Sequence, residues 1–184
     1  MPFHPISLGI FSKFLGLLLV SATLSSGVSR CDSPPPETDP PAPPATVILV
    51  RHAEKGYGED PHLTPDGRVR ANRLMHMLRG IELDAVYSTD FKRCMETAQP
   101  TAEDHALDVQ LYDPQTLTNF AGRLRRRHAG ETVLVVGHSN TTPAIVGLFD
   151  QAREYPNILE TDYSYLYIVT LPDDAPVKVL ELHF

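Results

Sequence analysis

The sequence predicts a three-layer α/β/α domain on a mostly parallel central sheet, with an antiparallel hairpin at its C-terminal end. Three observations carry this. Two short β-branched runs, TVILV (46–50) and TVLVVG (132–137), have the character of parallel strands buried on both faces. Segments with helical spacing lie between them. The chain ends on two β-rich runs, YSYLYIVTL (163–171) and PVKVLELHF (176–184), parted by the turn residues PDDA.

Along the chain, residues 14–24 (FLGLLLVSATL) form an apolar run with His4 and Lys13 upstream and the small residues SSGVS downstream. That is the layout of an export signal, and too short for a comfortable membrane span of about 20 residues. Residues 1–30 are therefore expected to be a signal peptide or an uncleaved N-terminal anchor. Cys31 stands where a bacterial lipoprotein carries its lipidated cysteine, which gives membrane attachment two candidate routes. Arg30 occupies the position where such signals have a small residue, and cleavage after Gly27 or Ser29 would instead release a soluble protein. Residues 31–45 read as a Pro-rich linker, with seven prolines between Pro34 and Pro44. The expected location is the periplasm or cell envelope.

Residues 46–184 form the folded domain, long enough for one buried core. DAVYS (84–88) is a third strand and VQLYD (109–113) a short fourth. Ala71, Leu74, Met75 and Leu78 keep helical spacing, as do Leu117, Phe120, Ala121 and Leu124. Residues 91–106 are helical in pattern, and Pro100 is expected to break or kink them near the middle. Asn140 or Thr141 caps a further helix with Pro143 in its first turn.

Composition removes some functions. The whole chain has 16 Lys+Arg against 23 Asp+Glu, a formal charge of −7, so it lacks the basic face that nucleic acid demands. Two cysteines, Cys31 and Cys94, build neither a disulfide scaffold nor a four-cysteine zinc site. His62, His76, His105, His128 and His183 show no ligand spacing, and no metal or cofactor is expected. RLRRRH (123–128) reads as a solvated helix face, with Leu124 on its buried side. Cys94 reads as a small buried residue.

Arg51 and His52 directly follow the first strand, His138 directly follows TVLVVG, and Arg93 lies shortly after DAVYS. In open parallel sheets, ligands bind beyond the carboxyl ends of the strands. Three strands thus deliver two histidines and two arginines to one edge. Planar guanidinium forks match the oxygens of a tetrahedral oxyanion. A neutral imidazole is a nucleophile towards phosphorus, and a second, protonated imidazole can stabilise the developing charge. Backbone N–H groups at the helix start after His138 add donors. The chemistry indicated is phosphoryl transfer through a phosphohistidine.

VILVRHAEK (47–55), LTPDG (63–67), YSTDFKRCMETA (87–98) and VVGHSNTTP (135–143) together resemble the histidine phosphatase superfamily, with its phosphoglycerate-mutase-like fold. The resemblance implies His52 as the phosphorylated nucleophile, Arg51 and Arg93 as phosphate ligands, and His138 as the second pocket histidine. It implies a carboxylic acid after the third strand, for which the counterpart is Asp113. Glu54 is a nearby carboxylate that could equally belong to a structural network. Lys55 is a candidate cation at the rim, and Ser139 a candidate phosphate-contacting hydroxyl. Ala53, Glu54 and Lys55 depart from the mutase pattern, and the chain has no room for a long capping insertion.

The expectation is a metal-independent phosphomonoesterase acting on small or surface-displayed phosphorylated substrates. Two rivals stand beside it: a protein phosphohistidine phosphatase, and a phosphate-binding module that hydrolyses nothing. The acid separates them. Alkyl phosphates need a proton on the leaving alkoxide, whereas aryl and phosphohistidine leaving groups need it less.

Overall fold

The computed structural model describes residues 43–184. The export segment, Cys31 and most of the Pro-rich linker lie outside the described residues. Among the described residues, no helix is long and apolar enough to cross a membrane.

The elements run β1 (Ala45–Arg51), α1 (Pro65–Leu78), β2 (Ala85–Ser88), α2 (Lys92–Asp104), β3 (Val109–Leu111), α3 (Leu117–Arg127), β4 (Thr132–Gly137), α4 (Thr141–Phe149), β5 (Tyr165–Leu171) and β6 (Lys178–His183). One sheet of order β3-β2-β4-β1-β5-β6 holds all six strands. The pairs β1–β4, β2–β4 and β2–β3 are parallel; β1–β5 and β5–β6 are antiparallel. The expected three-layer arrangement and terminal hairpin are both present.

The period-2 alternation of each strand divides the core between two faces. Val47, Leu49, Val133 and Val135 pack with Phe120 and Leu124 of α3 and with Ile145 and Phe149 of α4. Ile48, Val50, Leu134 and Val136 point the other way, onto Leu74 and Leu78 of α1 and Ala98 and Ala102 of α2. Burial on both faces is why β1 and β4 read as unbroken apolar runs rather than alternating ones.

Helix α1 starts where LTPDG stands. Thr64 is its N-cap and accepts from Gly67 N at 3.1 Å, Pro65 opens the first turn, and Asp66 favours the positive end of the helix dipole. Gly67 is there for contact: a Cβ would lie 2.2 Å from the Glu54 carbonyl oxygen. The segment after β1 is thereby pressed onto α1.

Pro100 does not break α2, which runs unbroken from Lys92 to Asp104. The lost i→i−4 bond is outweighed by burial of Thr97, Ala98, Thr101 and Ala102 on either side of the proline. In α3, Phe120, Ala121 and Leu124 are buried, and Arg125–Arg127 fill the last turn, where cations suit the helix dipole.

Candidate active site

Strand register builds the site. Arg51 of β1 is paired with Gly137 of β4, so the next residues, His52 and His138, emerge side by side. His52 N donates to Gly137 O at 2.9 Å and locks the two ends together. The rings meet edge to face, with centroids 5.6 Å apart. On the other side of β4, Thr89 follows β2 and Arg93 sits in the first turn of α2.

His52 is 2 % exposed. Its Nδ1 lies 2.8 Å from the Ala53 carbonyl oxygen, which fixes the proton on Nδ1 and leaves the lone pair on Nε2. Burial, reinforced by the charges of Arg51 and Arg93, lowers its pKa to about 3. The ring is therefore neutral at pH 7.

His138 is neutral too, which corrects the expectation of a protonated second imidazole. Burial, then Arg93, then Arg51 lower its pKa to about 4. Arg93 Nη2 approaches its Nδ1 at 3.4 Å, and Thr89 Oγ1 lies 3.0 Å from its Nε2. An arginine only donates, so Nδ1 is the acceptor and Nε2 carries the proton. An anion arriving beside this ring would raise its pKa again.

Arg93 is held by three neighbours. Asp60 is 3.6 Å from its Nη1, the Phe91 ring lies 4.5 Å beneath its guanidinium carbon, and His138 faces Nη2. Asp60 also accepts from Lys92 N at 3.0 Å, tying the 56–62 loop to the start of α2.

Arg51 is placed differently from the expected phosphate fork. Its guanidinium is buried, and Nη1 donates to the carbonyls of Leu159, Glu160 and Asp162 at 2.8, 3.0 and 2.8 Å. Nη2 donates to Glu160 Oε2 at 2.9 Å, and the Tyr163 ring lies 4.3 Å from the guanidinium carbon. Arg51 Nε and Arg93 Nε are both buried donors without an acceptor among the described residues.

A cavity of about 390 Å³ opens over these residues. His52, Arg93, His138, Lys55 and Ser139 line it, so five of the seven expected residues converge. Arg51 does not line it: its Nη2 is covered by the Glu160 carboxylate, which does. Asp113 does not line it: the carboxylate is exposed and turned back to accept from Gln115 N at 2.8 Å. The reason is local: the turn after β3 ties the Asp113 carboxylate to Gln115 N, while Pro114 and Gln115 of the same turn line the cavity. Glu54 belongs to a structural network, with Arg70 bound to both its oxygens at 2.8–3.0 Å.

Three contributors escaped sequence reasoning. Thr89 sits at a strand end inside a quoted motif, and the same strand-end logic could have found it. Phe91, under Arg93, carried no signal of its own. Glu160 lines the cavity from the α4–β5 connection, which has neither periodicity nor motif. Its Oε1 accepts from Ser139 Oγ at 2.5 Å. Hydrogen bonding to Ser139, with Arg51 nearby, holds the carboxyl below the usual carboxylate range. Cys94 is fully buried against His138, and burial pushes its thiol up to about 12, so it stays protonated.

Known proteins share this fold. The family model of the histidine phosphatase superfamily (branch 1) matches residues 47–114, which span most of β1 and all of α1, β2, α2 and β3. The protein histidine phosphatase SixA, solved with tungstate, superposes at TM-score 0.63 with 18% identity, over 75% of this chain and 96% of that one. YhfR of Bacillus stearothermophilus gives 0.61 and 20% over 73% and 95%, and a mycobacterial glucosyl-3-phosphoglycerate phosphatase 0.59 and 11% over 75% and 98%. At these identities the likeness is one of fold. Motif order and sheet topology agree with the histidine phosphatase family model that residues 47–114 match.

Proposed function

We propose that the domain hydrolyses phosphomonoesters through a phosphohistidine on His52, without a metal. The observation that carries this is the His52 ring: buried, neutral, its Nδ1 proton fixed by Ala53 O, and flanked by His138 and Arg93. Nε2 attacks phosphorus as the bond from phosphorus to the leaving oxygen breaks, and that oxygen takes up a proton. Water then adds to phosphorus, the N–P bond breaks, and its electron pair returns to Nε2. Arg93 and His138, which line the cavity beside His52, face the charge that develops on the equatorial oxygens. The Nε of Arg93, a cavity-lining residue, is a buried donor that a tetrahedral oxyanion would satisfy.

A second reading is favoured by the acid. The lining carboxylate, Glu160, is held ionised at neutral pH, and Asp113 faces away from the cavity. Such a site suits leaving groups that depart without strong protonation, either aryl oxygen or the imidazole of a phosphohistidine. The fold shared with SixA supports the phosphohistidine alternative. The apolar run at 14–24 supports action outside the cytoplasm, on small or surface-displayed substrates.

The test is turnover of an aryl phosphate by the full chain, with and without chelator, beside His52→Ala. Turnover that resists chelator and disappears in the variant is the expected result. Activity surviving His52→Ala would remove the nucleophile assignment. Absence of turnover, with phosphate still raising thermal stability, would make the domain a binding module.

A further inference from the structure

Glu160 is the one carboxylate lining the cavity among the described residues, and both its oxygens are engaged. Oε1 accepts from Ser139 and Oε2 from Arg51, two groups that the sequence assigns to a substrate's phosphate. The Glu160 side chain is 71 % exposed, whereas that of Arg51 is 0 % exposed. Arg51 does not need this carboxylate to stay in place, since three main-chain carbonyls hold Nη1. The carboxylate can therefore swing into water while the guanidinium remains fixed. Lys55 and Arg93 line the same cavity, so a departing carboxylate leaves an excess of positive charge behind it.

We propose that Glu160 is a built-in anionic competitor for phosphate: its carboxylate holds the donors of Arg51 and Ser139 until a phosphate group takes them over. The inference rests on the phosphatase reading above. Its consequence is weak retention of inorganic phosphate, because the product, like the substrate, must keep a like charge displaced. A group that merely positioned Arg51 would act in the opposite direction, since its loss would weaken phosphate binding.

The two roles are separated by calorimetric titration of the full chain with inorganic phosphate, for wild type, Glu160→Gln and Glu160→Asp. Glutamine keeps the shape and one acceptor but removes the charge. The expected result is a phosphate dissociation constant about fivefold lower in Glu160→Gln, the modest size following from the exposed carboxylate. The KM for an aryl phosphate should fall alongside it, and Glu160→Asp should show no tightening. Equal or weaker phosphate binding in Glu160→Gln overturns the competitor role while leaving the phosphatase reading intact. Absence of phosphate binding in wild type and Glu160→Gln alike, with unfolding temperatures unchanged, overturns both.

Discussion

Arg51 and Gly137 are register partners in adjacent parallel strands, and this single pairing places His52 against His138. The two histidines lie 86 positions apart in numbering, yet β4 inserts between β2 and β1 and makes them neighbours. The crevice between β1 and β4 lies where the strand order reverses, the usual place for a ligand in an open α/β sheet.

Both histidines should destabilise the fold in mild acid. Unfolded histidine takes up its proton near pH 6.5, whereas folded His52 resists to about 3 and His138 to about 4. The unfolded state thus binds more protons within this window. Stability is fully present above about pH 6.5 and is lost as pH falls towards 4. Unfolding temperatures measured from pH 7 to pH 5 should fall in wild type and fall less steeply in His52→Gln.

Gly67→Ala should destabilise the domain by about 2 kcal/mol, since the new methyl meets backbone rather than a flexible side chain. Denaturant unfolding of wild type and variant gives the difference. A loss below about 0.5 kcal/mol would mean that the 52–55 segment moves away from α1 freely.

Arg93→Lys keeps the charge but loses the planar stack on Phe91 and the fork that meets Asp60 and His138. The KM for an aryl phosphate should rise about tenfold. Steady-state kinetics decide it, and an unchanged KM would demote Arg93 to a structural role.

Asp113→Asn should leave aryl phosphate turnover within about twofold, because asparagine can still accept from Gln115 N and the carboxylate does not line the cavity. A large fall in kcat would mean that the 112–116 turn rearranges around substrate and delivers the acid after all.

By itself the sequence determined the layer architecture, the strand ends and the pairing of His52 with His138 at one sheet edge. The β-branched runs, the Thr-Pro-Asp-Gly helix start and the histidines after strands are local patterns, and each obeys a short-range rule of burial, capping or strand geometry. Pro100 does not break α2, because helix continuity there depends on packing against other elements, which no local rule weighs. The fate of Asp113 was decided by the turn after β3, which ties its carboxylate to Gln115 N while Pro114 and Gln115 face the cavity. Arg51's fork was decided by the Leu159–Asp162 segment, which folds over it from more than 100 residues away and brings Glu160 with it. Charge and type are written in the chain, but which carboxylate meets which guanidinium is settled only by the packing that brings distant segments together.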